Sequence, residues 1–199
     1  MKGASFDGMN DCYSVVVDPK DADHLWGIFG EWGGNRGHIA ESHDSGLSWK
    51  PLTVEAFGGI RPCGLAVFRT EAPYRLVTAV GKRGLVVSCD GGVRWEDYPT
   101  NRFEQAREVV SVSKKEGRLY ACVGSTLYRA ERDGRFQRFF SEPVGNILDW
   151  TVSGSRSLVC GREQWTGKKM LPGGAWLSDD GGASWKRIYA DPYVSTGLF

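Results

Sequence analysis

Short runs of β-branched and aromatic residues alternate with clusters of Gly, Asp, Asn and Ser along the whole chain, and a helical period is nowhere sustained. Runs of this length between turn residues predict strands rather than helices. Aligned on their turn signals, they form four successive units. The first strands are expected at 12–17 (CYSVVV), 63–68 (CGLAVF), 107–113 (REVVSVS) and 148–153 (LDWTVS). Second strands, each running toward a Gly, are expected at 24–30, 75–81, 118–124 and 157–161, with 18–23 linking the first two strands through an Asp-Pro turn. Third strands lead into a turn, as 84–88 does, and fourth strands begin at or near Trp49, Trp95, Phe136 and Trp185.

The turns between third and fourth strands carry a repeated octapeptide. Ser42-His43-Asp44-Ser45-Gly46-Leu47-Ser48-Trp49, Ser88-Cys89-Asp90-Gly91-Gly92-Val93-Arg94-Trp95 and Ser178-Asp179-Asp180-Gly181-Gly182-Ala183-Ser184-Trp185 all fit Ser-x-Asp-x-Gly-x-x-Trp. The first two start 46 residues apart and the second and third 90 apart. A degenerate copy near the midpoint, Ala130-Glu131-Arg132-Asp133-Gly134-Arg135-Phe136, keeps Asp133 and Gly134 and replaces Trp by Phe136. Self-similarity at this period marks a repeat architecture. An Asp carboxylate can accept local backbone N–H bonds and Gly takes positive φ without a Cβ penalty, which suits a tight turn. The Trp then has the area to fill a gap between neighbouring sheets.

The octapeptide resembles the Asp-box, or BNR repeat, of sialidase-like β-propellers, Asp-box glycosidases and photosystem-assembly propellers. The resemblance implies an all-β fold, a β-propeller of four-stranded antiparallel blades. Four blades are expected, near 12–53, 63–98, 107–140 and 148–190, in one propeller domain or segment over 1–199. Relatives of this type usually have more than four blades, and 191–199 reads as the lead-in to another. The chain is therefore expected to be a piece of a longer propeller, ahead of a small closed ring or a ring completed by self-association of two copies.

The resemblance implies a ligand face opposite the octapeptide turns, made by the loops between second and third strands and between blades. Two of the former stand out by length: Gly30-Glu31-Trp32-Gly33-Gly34-Asn35-Arg36 and the segment 161–172, with Arg162, Glu163 and Trp165. Loops between blades add Glu55, Phe57, Arg61, Asn101, Arg102, Phe103, Glu104, Glu142 and Asn146. Aromatic faces cover the apolar side of a sugar ring, Arg binds carboxylates bidentately, and paired carboxylates are what glycoside hydrolysis needs. The ligand-binding candidates are Glu31, Trp32, Arg36, Arg61, Arg102, Glu104, Arg162, Glu163 and Trp165. The alternative for all of them is a solvated loop charge or a Trp that caps the blade below.

A sialidase is further expected to show an Arg-Ile-Pro motif, an arginine triad and a Tyr-Glu pair. The chain offers Gly59-Ile60-Arg61-Pro62, with Ile and Arg exchanged, and no assignable catalytic Tyr. The expected role is a binding scaffold for a carbohydrate or a protein partner, with a fragment of a sialidase-like or xyloglucan-active hydrolase as the alternative. Composition adds exclusions. Lys and Arg total 25 against 24 Asp and Glu, a net charge of +1 in 199 residues, so neither nucleic acid nor a membrane surface is an expected partner. No apolar run approaches the ~20 residues of a membrane span. The N-terminal residues carry no export signal, so a cytoplasmic location is expected unless the chain is cut from a longer precursor.

Five cysteines at irregular spacing suggest neither a disulfide framework nor a zinc site. His24, His38 and His43 lack a His-x-x-x-His spacing, and Asp179-Asp180-Gly181-Gly182 lacks the calcium-hand pattern, so no metal and no cofactor are expected.

Overall fold

The structure, a computed structural model, describes residues 11–52, 57–68, 74–99 and 109–190. It is all-β and of the β-propeller class, and the described residues hold four four-stranded antiparallel sheets. The first holds β1 (Asp11–Asp18), β2 (Asp21–Gly30), β3 (Gly37–Ser42) and β4 (Lys50–Pro51). The second holds β5 (Cys63–Phe68), β6 (Arg75–Val80), β7 (Gly84–Ser88) and β8 (Glu96–Asp97). The third holds β9 (Val109–Lys115), β10 (Arg118–Val123), β11 (Thr126–Ala130) and β12 (Phe136–Phe140). Each is a meander in which strands neighbour one another in chain order.

The fourth sheet departs from the pattern. Between β14 (Arg156–Arg162), which pairs with β13 (Asn146–Ser153), and β17 (Gly174–Ser178) the chain inserts a hairpin of β15 (Gln164–Trp165) and β16 (Met170–Leu171) before β18 (Lys186–Tyr189) closes the sheet. The link between the first two strands also differs from expectation. β1 continues to Asp18 and β2 resumes at Asp21, so the linker shrinks to Pro19 and Lys20. Three fourth strands begin one residue after the Trp, near it as expected, and the turn holds the indole.

Two compact units are distinguished, one of residues 1–101 and 108–113, the other of 102–107 and 114–199. In the first, Trp26, Ile28 and Ile39 are fully buried among Leu65, Leu76 and Val86. In the second, Phe140, Leu127 and Val159 are buried beside Tyr120, Trp150 and Trp176. Burial of each such side chain contributes roughly 1.5–3 kcal/mol of transfer free energy. Middle strands such as β6 and β7 are apolar almost throughout because both faces are covered, whereas β4, β8 and β18 expose every residue.

The three full octapeptides form one turn. Ser42 Oγ donates to Asp44 Oδ1 at 2.8 Å and accepts from Gly46 N at 2.9 Å, while Asp44 Oδ1 accepts from Ser48 N at 2.8 Å. Ser88, Asp90, Gly92 and Arg94 repeat this, as do Ser178, Asp180, Gly182 and Ser184. Gly46, Gly92 and Gly182 hold φ of 85°, 98° and 91°, where a side chain would strain the backbone. Each Trp indole N–H donates to the carbonyl of the turn Gly: Trp49 to Gly46, Trp95 to Gly92 and Trp185 to Gly182.

Candidate functional site

In the first unit, Gly30 and Gly37 flank a loop that begins at Glu31 and ends at Arg36. The loop is pinned at its far side. Arg36 bridges to Ile60, Gly37 N donates to Gly59 O at 3.2 Å and Arg61 N donates to Asn35 O. This register draws Arg61 under the loop, although it lies 25 residues beyond Arg36 in sequence. Both flanking glycines make room for it. A Cβ at Gly30 would lie 2.7 Å from Arg61 Cδ, and one at Gly37 would lie 2.6 Å from Arg61 Cγ.

The polar groups then pair among themselves. Arg36 Nε donates to Glu31 Oε1 at 2.8 Å, and its Nη2 pairs with the same oxygen. Hydrogen bonding and charge from Arg36 hold the Glu31 carboxyl below the usual carboxylate range. Arg61 Nη1 donates to Gly34 O at 3.0 Å, and its guanidinium lies 3.8 Å over the ring of Tyr13. The Tyr13 hydroxyl donates to Glu31 O at 2.7 Å. Trp32 stands beside this assembly 90% exposed. Tyr13, Trp32 and Arg36 are exposed here, and Arg61 is half-buried.

Glu31, Arg36 and Arg61 are thus brought together, with Trp32 next to Glu31 along the chain. Tyr13 was missed. Its signal was available, since it stands one place after Cys12 in the strand that pairs with β2, opposite the end where the loop starts. Phe57, counted among the loop candidates, is buried and packs edge-on against Trp95 with ring centroids 5.1 Å apart, so it belongs to the core.

In the second unit, Arg162 ends β14 opposite Asn146, and Glu163 leads into the β15–β16 hairpin. The backbone there is squeezed: a Cβ at Gly145 would lie 2.3 Å from Arg162 O, and one at Gly173 would lie 2.7 Å from Glu163 N. Trp165 is 61% exposed and sits opposite Met170, which is also exposed. Glu142 is exposed on the preceding loop. Arg102 and Glu104, with Glu55, Asn101 and Phe103, lie outside the described residues.

A polar hollow of about 240 Å³ in this unit was not anticipated. Glu116, Arg118, Tyr120, Arg129 and Ser157 line it. Glu131 fixes the two cations, accepting from Arg129 Nε at 3.0 Å and lying 3.8 Å from Arg118 Nη1. Ser157 opposes Ser178, whereas Leu25 and Leu76 occupy the corresponding register positions opposite Ser42 and Ser88. Serine where the other sheets have leucine removes apolar volume, and the buried Ser157 Oγ has no hydrogen-bond partner there.

No family model and no curated protein matches the chain. Solved structures of similar fold include the GH74 xyloglucanase from Xanthomonas campestris, with TM-score 0.68 and 19% identity over 96% of this chain and 32% of that one. YCF48 bound to a D1 peptide is similar at TM-score 0.54 and 21% identity, covering 86% of this chain and 55% of that one. The Niastella koreensis GH74 enzyme is similar at TM-score 0.52 and 16% identity, over 92% and 39%. The chain spans between about a third and just over half the length of these structures. The likeness establishes a β-propeller fold.

Proposed function

We propose that this chain is a binding segment of an Asp-box propeller and that the loop face around Arg61 recognises a protein partner. The observation that carries this reading is the grouping of exposed Tyr13 and Arg36 with half-buried Arg61 around the loop that carries the exposed Trp32. Tyr, Trp and Arg dominate protein-binding hot spots because they combine large apolar area with directed hydrogen bonds. Glu31 is already neutralised by Arg36 and its carboxyl is held low, the opposite of what a proton-donating glycosidase acid requires. A propeller among the similar structures, YCF48, is bound to a peptide. In the same reading the chain is one portion of a larger ring, and the Trp165–Met170 hairpin offers a second contact.

A second reading, a portion of a glycoside hydrolase using Glu31, Glu104 or Glu163, draws on the fold likeness to GH74 enzymes. One experiment separates the two. The full chain and its Trp32→Ala and Glu31→Gln variants are applied to peptide and glycan arrays and incubated with xyloglucan. The expected result is peptide binding weakened at least tenfold by Trp32→Ala, with no new reducing ends. Glycan cleavage abolished by Glu31→Gln would overturn the scaffold reading.

A further inference from the structure

We infer that His24, Glu41 and His43 form a binding site for a divalent cation of the zinc class. Pairing of β2 with β3 creates it. Leu25 opposes Ser42 and Trp26 opposes Glu41, so the period of two puts His24, Glu41 and His43 on one face across adjacent strands. His24 Nε2 lies 2.7 Å from Glu41 Oε1, and His43 Nε2 lies 3.5 Å from Glu41 Oε2. The two imidazoles are stacked with centroids 4.3 Å apart, and the three donor atoms all fall within 4.8 Å of one another.

Tetrahedral zinc with donors at ~2.0–2.2 Å holds them about 3.3 Å from one another, so the cluster is near that geometry already. Two imidazoles and a carboxylate suit zinc and its neighbours better than calcium or magnesium, which prefer all-oxygen shells.

The surroundings have the form of a supporting shell. Asp18 is buried at the end of β1, with Oδ2 3.7 Å from His24 Nδ1. Tyr74 Oη donates to that oxygen at 2.7 Å, and Lys20 N donates to Oδ1 at 3.0 Å. A cation on Nε2 leaves the His24 ring proton on Nδ1, facing Asp18, which is the carboxylate–histidine–metal arrangement that orients a ligand ring. Trp26 and Tyr74 wall the buried side, with ring centroids 4.0 and 5.0 Å from that of His24. The His43 side chain is 68% exposed, which leaves an open side for entry and for a water as fourth ligand.

The test is calorimetric titration of Zn²⁺ into the purified full chain, with Co²⁺ absorption as the optical probe. One ion per chain is expected, with tetrahedral Co²⁺ bands and a melting temperature raised by Zn²⁺. His43→Ala removes an exposed side chain and is expected to leave the fold intact while weakening binding at least tenfold, as is Glu41→Gln. Replacing the exposed thiols, Cys12→Ser with Cys89→Ser, leaves the affinity unchanged. No stoichiometric binding to the folded chain overturns the inference. So does binding that survives His43→Ala and Glu41→Gln, or that disappears with the two cysteines.

Discussion

The turns at 178–185 and 130–136 make the same connection, from third strand to fourth, by different means. In the first, Ser178, Asp180 and Ser184 tie the chain with side-chain hydrogen bonds, and Trp185 reaches back to β12. Its ring meets Phe140 edge-on at 4.9 Å and its N–H donates to Phe139 O at 3.1 Å. In the second, Ala130 ends the strand where Ser178 does. The reversal is closed by backbone, Glu131 N donating to Arg135 O at 2.8 Å, with Asp133 accepting from Arg135 N at 3.0 Å. Gly134 holds φ of 81° in both designs' shared requirement for a left-handed residue. The lesson is that the reversal needs little more than Gly and an Asp acceptor. The Ser fastens the turn from within, and the Trp serves the joint between sheets. The degenerate turn instead contributes Glu131, which pairs with Arg129 and Arg118 of the lining of the polar hollow.

The largest expected consequence is at Trp185. Trp185→Ala removes the indole from between Phe139 and Phe140 and is expected to cost about 3 kcal/mol, read by denaturant unfolding. Phe136→Ala in the degenerate turn should cost clearly less; an equal loss would mean the two aromatics do the same work. Next is Ser178→Ala, which strips the acceptor from Gly182 N and a donor from Asp180, for an expected loss of about 1–2 kcal/mol.

The acid limb follows. Hydrogen bonds from the Ser48 and Ser184 hydroxyls, with backbone donors, hold the Asp44 and Asp180 carboxyls at about 2 against an ordinary 3.8. A depressed carboxyl stabilises the fold above its unfolded value and loses that contribution as pH falls through the folded one. Stability should therefore decline between pH ~4 and ~2, and carboxyl ¹³C titration should place both midpoints near 2. Midpoints near 4 would show that the turns do not hold these bonds. Smallest of all, Ala130→Ser should change stability by less than about 0.5 kcal/mol, because the N–H of Gly134 already donates to Glu131 O at 2.9 Å.

Much of the fold is readable from local signals. The octapeptides, the β-branched runs and the strand-ending glycines placed the four sheets, because turn chemistry and the period of two act within a few residues. The short linker at Pro19-Lys20 and the hairpin at 164–171 were less visible, since both depend on pairing beyond the local pattern. The candidate site divides in the same way. Glu31, Trp32 and Arg36 lie on one loop and were found together. Tyr13 and the burial of Phe57 follow from cross-strand register and packing.

The amino-acid sequence by itself determined the repeat, the strands and the turn geometry, because each is set by the propensities and hydrogen-bonding reach of adjacent residues. Tertiary structure decided which distant groups meet: Arg61 beneath the Glu31 loop, His24 with Glu41 and His43 over Asp18, and Ser157 facing the hollow. Those meetings depend on register between strands and on packing against neighbours, neither of which is a property of any single segment.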